Sequence, residues 1–293
     1  MNQQNQTKDF FKGHASEWQI KASDEVYHTI NDRHRAAHRT LSQYDKGSTL
    51  LDVGCGTGQL AIESAENGYE SLGIDFAREM IDQCKINATD SESKAEFEVA
   101  SVFDYSPKKK FDVISAMGFI EYISLDQLDE FLDFCFVNTT DNGAVSIGSR
   151  NRLFNVTTFN DYTEMEKKLG SLEELIDESS ICIRSTNTNE YLESLRGYVG
   201  SNSLIQNDTH PLTAIGVETR FQFTPSDLMQ RIESHGFKVT NIYPVNYHAF
   251  LPIINDNKIK TLRKKISDLI SIEGQSDFRY IPNSSSFVIE AKK

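Results

Sequence analysis

Short runs of β-branched and apolar residues alternate along this chain with longer stretches whose apolar positions recur every three or four residues. The short runs, Thr49–Val53, Ser71–Ile74, Glu96–Ala100, Phe111–Ser115 and Ala144–Gly148, have the length and composition of buried strands. Between them, Leu60–Asn67, Ala77–Ile86 and Leu125–Asn138 carry helical spacing. Strands separated by helical stretches predict a parallel sheet covered on both faces. Residues 8–45 read as two helices. The first carries Phe10, Phe11 and Trp18, and the second, Asp24–Tyr44, places Val26, Ile30, Ala37 and Leu41 at helical spacing. After Arg150 the strand rhythm stops, and polar helical patches, Glu164–Leu175 and Asn189–Val199, take over until about Phe221. It returns with Thr224 as an N-cap, Pro225 at the first helical position, a helix to His235 ended by Gly236, and a strand Phe237–Tyr243. A second irregular insertion precedes the last strand, Ser285–Ala291. No internal repeat is found. The pattern predicts an α/β protein with a doubly wound, mostly parallel seven-stranded sheet. Its parts are a helical cap over residues 1–45, a core over 46–150 and 224–293, and helical lid insertions over 151–223 and 244–283.

Length and composition agree with this division. The 293 residues suit two domains or one α/β domain with a lid, and 38% hydrophobic residues are enough for a real core. Thirty Lys and Arg against 43 Asp and Glu leave a net charge of −13, the wrong sign for displacing counterions from a nucleic acid or binding an anionic membrane. Lys108–Lys110 reads as a solvated turn. The polar start of the chain lacks a signal-peptide core, and no apolar run is long enough to cross a bilayer. Cys55, Cys84, Cys135 and Cys182 are scattered, without C-x-x-C spacing or a neighbouring histidine, so neither disulfides nor a metal site are expected. The expectation is a cytoplasmic protein without nucleic acid, membrane or metal among its partners. The oligomeric state stays open, with a homodimer as one option.

The stretch that carries chemistry is Asp52-Val-Gly54-Cys55-Gly56-Thr-Gly58, placed where a strand turns into a helix. Glycines there let a ligand approach the backbone, and the helix N-terminus offers free N–H groups. The spacing is G-x-G-x-G, not the G-x-G-x-x-G that receives a pyrophosphate. Asp52, two residues ahead of Gly54, would repel a phosphate and attract a cation. Asp75 closes the second strand, where a carboxylate can accept both hydroxyls of a ribose.

These residues, with Gly73-Ile-Asp-Phe76 and Met80 after them, resemble the class I S-adenosylmethionine (SAM)-dependent methyltransferase family, across roughly residues 45–150 and 224–291. The resemblance implies that family's Rossmann-like fold. It implies SAM as cofactor and S-adenosylhomocysteine as product. Asp52 and the loop of Gly54, Cys55, Gly56 and Gly58 would hold the methionine part, Asp75 the ribose, and Phe76 and Met80 the adenine face. The third motif departs from the family, whose members often carry Gly-Asp where this chain has Ala100-Ser101. The Ser101 hydroxyl and the Val102 backbone N–H are then the adenine partners, with Asp104 as a stand-in. The fourth motif aligns with Ser115–Tyr122, which makes Met117, Gly118 and Glu121 residues of the cofactor–acceptor junction. Tyr27 is a candidate for closing the methionine end.

Methyl transfer from a sulfonium needs alignment and exclusion of water, and a base only where the acceptor's proton must leave. His248, in an aromatic loop after the sixth strand, and His210, in the lid, are the candidate bases. His14, His28, His34 and His38 lie in the N-terminal helices, and His235 reads as a helix C-cap. Arg152, Tyr191, Arg196, Tyr198 and Tyr247 add polar groups suited to orienting a ligand. The Asn/Asp/Ser-Pro-Pro-Tyr signature of enzymes that methylate base amino groups is absent after the fourth strand. The expected acceptor is a small molecule methylated on oxygen or nitrogen. A catalytically silent SAM-binding protein is the main alternative. An NAD(P)-dependent oxidoreductase is disfavoured by the glycine spacing and Asp52.

Overall fold

The computed structural model describes residues 28–199, 221–250 and 276–293, with residues 262, 265, 266, 269, 270 and 274 between the last two spans. Tyr27, His14 and the helix expected around Phe10 and Trp18 lie outside the described residues, as does His210.

Among the described residues the chain opens with α1 (His28–Leu41) and then alternates. Strand β1 (Thr49–Val53) is followed by α2 (Gln59–Glu66), β2 (Glu70–Asp75), α3 (Arg78–Asp90), β3 (Glu96–Val99) and β4 (Phe111–Met117). A 3-10 turn (Ile120–Tyr122) then leads to α4 (Leu125–Asn138) and β5 (Thr139–Arg150). Four helices follow: α5 (Asn155–Thr158), α6 (Asp161–Leu169), α7 (Leu172–Arg184) and α8 (Thr188–Val199). The chain returns through α9 (Pro225–Ser234) to β6 (Lys238–Tyr247), and a second 3-10 segment (Phe278–Asn283) precedes β7 (Ser284–Lys292).

The seven strands form one sheet in the order β3-β2-β1-β4-β5-β7-β6. Strands β1 to β5 are parallel, and β7 runs antiparallel between β5 and β6. The expected α/β class, parallel core and seven strands are therefore all present. Alternation along each strand sorts the two faces. Leu51, Val53, Ile114, Ala116, Val145 and Ile147 point into the main core with Leu128, Phe131, Leu132 and Cys135 of α4. Leu50 and Val113 face the other way, under Ala37 and Leu41 of α1. A capping box between Ser124 and Gln127 starts α4, and Thr224 with Pro225 starts α9 as the sequence predicts.

Three elements differ from the reading by periodicity. Strand β5 begins at Thr139, because Thr139 pairs with Phe111 before a register shift lets Ala144 pair with Val113. The patch Glu164–Leu175 is two helices, broken where Gly170 takes a left-handed conformation with φ of 73°. Strand β6 continues through Tyr247, pairing Pro244 with Phe287 and Tyr247 with Ser284. As the outer strand of the sheet it tolerates a proline.

The excursion that leaves after β5 returns beside its own exit. Asn151 pairs with Phe223, the Arg152 N–H donates to the Phe223 carbonyl (2.9 Å), and the Phe223 N–H donates to the Arg150 carbonyl (3.3 Å). A buried ion pair fastens the helices to that exit. The Arg152 Nη2 lies 2.8 Å from Glu166 Oε2, and Asn155 and Ser171 donate to the same carboxylate. These donors hold the Glu166 carboxyl below its usual range against the opposing effect of burial. Arg196 is committed likewise to Glu233 and the Val239 carbonyl, Tyr198 to the Glu174 carbonyl, and Tyr191 stacks on Phe278 at 4.6 Å. Expected as ligand-orienting groups, these four side chains instead hold the helices inserted after β5 together and against the sheet domain.

Removing one partner of a buried pair strands the other charge, at a cost of about 3–5 kcal/mol. Arg152→Met is therefore expected to lower unfolding free energy by about that amount in urea titration. A loss under about 1 kcal/mol would mean that Glu166 finds other compensation.

Candidate functional site

The order β2-β1-β4 makes the gap between β1 and β4 a point where the chain reverses its direction of winding, and in open α/β sheets ligands bind there, beyond the carboxyl ends of the strands. The turn that leaves β1 at this point is made of glycines in the left-handed region: Gly54, Gly56 and Gly58 have φ of 68°, 55° and 87°. Their roles differ. A Cβ at Gly58 would strike Phe97 and Cys84 at 2.8–2.9 Å, so that glycine serves close packing. A Cβ at Gly56 would meet nothing within 4 Å. That bare position faces open space, a cradle that any side chain would fill.

The loop is held from β2. The Gly54 and Cys55 N–H groups both reach the Ile74 carbonyl, at 2.9 and 3.1 Å. Asp75 then accepts from the Gly56 N–H (3.2 Å) through one oxygen and from the Ala77 N–H (2.9 Å) through the other. Burial pushes its carboxyl up to about 6, although both backbone donors pull it down. Asp52 is more strongly affected. It is 3% exposed, and burial raises its carboxyl to about 7; the Ser115 hydroxyl beside it lowers the value and Asp75 raises it further. Ser115 Oγ, buried on the neighbouring strand, makes no geometrically sound hydrogen bond, so its help is weak. Two carboxyls with elevated pKa values thus sit at the ends of adjacent strands, close to a bare glycine, the arrangement that marks a candidate functional site.

Cys55 packs against Cys84, their Sγ atoms 3.9 Å apart, and the Cys84 thiol donates to the Gly56 carbonyl at 3.1 Å. Burial pushes the Cys55 thiol well up, so it is a neutral wall of the loop. Phe76 is half-buried after Asp75, and Met80 is buried on α3. The Ala100 N–H donates to the Asp75 carbonyl, which draws the turn bearing half-buried Ser101 to the same edge. The Val102 side chain belongs to the main core. Met117 closes β4, half-buried against residues under α1.

Sequence reasoning passed over Arg33. Its guanidinium lies at Gly118, just beyond β4, where it donates to Ser286 Oγ at 3.1 Å and faces Glu121 at 3.5 Å. The available signal was a charge on the apolar face of α1, spaced with Ala36, Ala37 and Thr40. The neighbouring histidines drew attention instead. His34 and His38 turn to Glu63 on α2, and burial lowers His34 to about 4, leaving it neutral. His235 caps α9 between Asp129 and Asp133, as expected.

His248 follows β6, three strands from β4, on the order of 14 Å at the usual strand spacing. Its backbone N–H donates to the Asn283 carbonyl, and its ring lies against Phe154 with centroids 4.7 Å apart and planes tilted by 34°. A cavity lined by Asp32, Arg35, Arg39, Asn246, Tyr247 and Ser284 opens between α1 and β6, apart from the glycine loop. Among the described residues no group of three or more His, Cys, Asp or Glu side chains could hold a metal, and no helix is long and apolar enough to cross a membrane.

Comparison with known proteins fits this geometry. Residues 50–143 match the family described as methyltransferase domain. The ubiquinone biosynthesis O-methyltransferase of Rhodopseudomonas palustris (strain HaA2) is 30% identical over 106 residues, which is 36% of this chain and 41% of the relative. Its counterpart from Pelagibacter ubique (strain HTCC1062) is 33% identical over 107 residues, 36% of this chain and 44% of the relative. The chain thus spans less than half the length of these relatives. Among solved structures, magnesium protoporphyrin IX methyltransferase from Synechocystis PCC 6803 with bound SAH superposes with a TM-score of 0.59 at 12% identity, covering 100% of both chains. The Burkholderia thailandensis 1,6-didemethyltoxoflavin-N1-methyltransferase gives 0.57 at 11% identity, covering 99% of this chain and 88% of that one. The fold is shared with these two methyltransferase structures, and residues 50–143 match the methyltransferase domain family.

The buried acids have a consequence for stability. Asp52, Asp75 and Glu178, the last raised to about 7 by burial, each hold a proton longer in the folded chain than in the unfolded one. Their contribution is therefore full below the unfolded carboxyl range, near 4, and is lost as pH rises through about 6 to 7. The thermal midpoint is expected to fall between pH 5 and pH 8, and Asp52→Asn to flatten part of that slope. A wild-type midpoint that rises over this interval would contradict the assignment.

Proposed function

We propose that this protein is a SAM-dependent methyltransferase acting on a small molecule, and that it transfers the methyl group to an oxygen or nitrogen by in-line displacement. The observation that carries the reading is the pairing of a bare, left-handed Gly56 with the buried carboxyls of Asp52 and Asp75. A phosphate would find two acids there, whereas SAM and S-adenosylhomocysteine bring an ammonium and no phosphate.

Asp52 faces the ammonium of the methionine part, with Gly54, Cys55, Gly56 and Gly58 as the cradle. Arg33 is the cation placed to meet the methionine carboxylate. Asp75 accepts from the ribose hydroxyls, with Phe76 and Met80 along the adenine and Ser101 and the Val102 N–H at its edge. Met117 stands at the junction with the acceptor, and Tyr27 closes the methionine end. The bound cofactor supplies an activated methyl on a sulfonium. The chain aligns the acceptor with it and excludes water, by roofing the cleft with α1 and the helices inserted after β5. His248 is the candidate base on the acceptor side and His210 the alternative. The cytoplasm is the proposed location, without nucleic acid or membrane as partner. The O-methyltransferase and N1-methyltransferase names among the matches are compatible with either acceptor atom.

Calorimetry with SAM, S-adenosylhomocysteine and NAD tests the cofactor. SAM and its product should bind, and tight NAD binding without SAM binding would overturn the reading. Gly56→Val should abolish that binding while circular dichroism stays native, since the side chain fills the cradle and the φ disfavours a branched residue. Asp75→Ala should weaken it by about 1.5–3 kcal/mol for each lost bond to the carboxylate.

The base is tested by turnover in His248→Gln and His210→Gln. A general base loses about 10²–10⁴ in rate with SAM affinity kept. Full turnover in both variants would leave alignment alone as the mechanism.

A further inference from the structure

Four groups from distant parts of the chain meet beside Gly118. Arg33, from α1, donates to Ser286 Oγ at the start of β7 and lies 3.5 Å from Glu121 Oε1. Arg150, the last residue of β5, comes within 4.0 Å of Glu121 Oε2 from the other side. The Glu121 side chain is 3% exposed, against 12% and 27% for the two arginines, so the carboxylate is enclosed while the guanidiniums border the cleft. Gly118 makes room for this: φ is 79°, and a Cβ there would collide with Arg33 Nη1.

We propose that Glu121 is a positioning residue, which holds Arg33 and Arg150 on either side of it and thereby aims Arg33 at the methionine carboxylate of the cofactor. The inference rests on the SAM reading of the site. Two partly buried guanidiniums repel across so short a gap, and each loses hydration. Glu121 removes both penalties and keeps Arg33 at the wall of the cleft before any ligand arrives. The incoming carboxylate then meets a donor fork that is already oriented, which spares the cost of ordering a long side chain on binding. Ser286 fixes the other end of the fork, and the backbone of Glu121 is itself held by the Phe221 N–H at 2.9 Å.

Titration calorimetry with two ligands tests this. Decarboxylated SAM keeps the adenosine, sulfonium and ammonium and lacks only the carboxylate. The wild type should prefer SAM over it by about tenfold to a hundredfold, the value of one bond between charged groups. In Glu121→Gln, which preserves size, that preference should shrink below about threefold while affinity for decarboxylated SAM changes less than about twofold. Arg33→Gln should give the same pattern, and the double variant should lose nothing more. Glu121→Asp, which restores the charge, should recover part of the preference. Equal weakening of both ligands in Glu121→Gln would make Glu121 a structural residue only, and an unchanged or larger preference for SAM would equally overturn the proposal. Asp75→Ala serves as the control, since it should weaken both ligands alike. A wild type that binds neither ligand would instead remove the SAM reading itself.

Discussion

Asp75 takes its hydrogen bonds from two peptide N–H groups on different turns, Gly56 after the first strand and Ala77 after the second. That pair of hydrogen bonds to one carboxylate fixes the distance between the glycine loop and the second turn, and the carboxyl end of the sheet is built around it. The loop curls back toward β2 and leaves its bare position open to the cleft. Each carboxyl is expensive to bury, and the two backbone donors offset only part of the cost at Asp75. Asp52 has less help still. Burial therefore leaves both carboxyls at the loop with raised pKa values, an electrostatic cost built into the same turns that carry the bare glycine.

A second carboxylate plays the opposite part at the far edge. Glu290 is 1% exposed and accepts from Thr40 and Gln43 at the end of α1 and from Thr240, Asn241 and Tyr243 on β6. It anchors one end of α1, and the Arg33 contacts anchor the other. These contacts hold α1 at both ends across β4, β5, β7 and β6. At similar burial, Glu290 accepts from five side chains, whereas beside Asp52 the Ser115 hydroxyl offers only weak help.

Much of this could be read from the chain alone, because the deciding features are local. Strand–helix alternation, the Thr224-Pro225 start of α9 and the acid–glycine loop each need only a few consecutive residues. The rest depended on contacts that no window of sequence contains. Arg152 and Arg196 resemble ligand-binding residues until their partners Glu166 and Glu233 are seen, 14 and 37 positions away. Arg33 escaped notice because its meaning comes from Ser286, 253 residues further on. The early start of β5 was hidden by a register shift, since Thr139 and Ala144 belong to one strand only through pairing with β4. Periodicity reports which face is buried. It does not report which charge lies opposite.

The position of β7 also bears on how this chain is made. It is the last of the seven strands in sequence, yet it lies between β5 and β6 and, among the described residues, is the one neighbour of β6 in the sheet. During synthesis, β6 emerges with no edge to pair against, and β5 waits with one side open. Unpaired edges recruit other chains, so the nascent protein passes through a stage in which two of its strands are open to association. The sheet cannot close until residues 284–292 have left the ribosome. The glycine loop is complete long before that, but the wall of α1 that needs Ser286 and Glu290 is not. Closure of the sheet and of the α1 wall therefore comes late, in a folding step dominated by contacts between residues far apart in the chain.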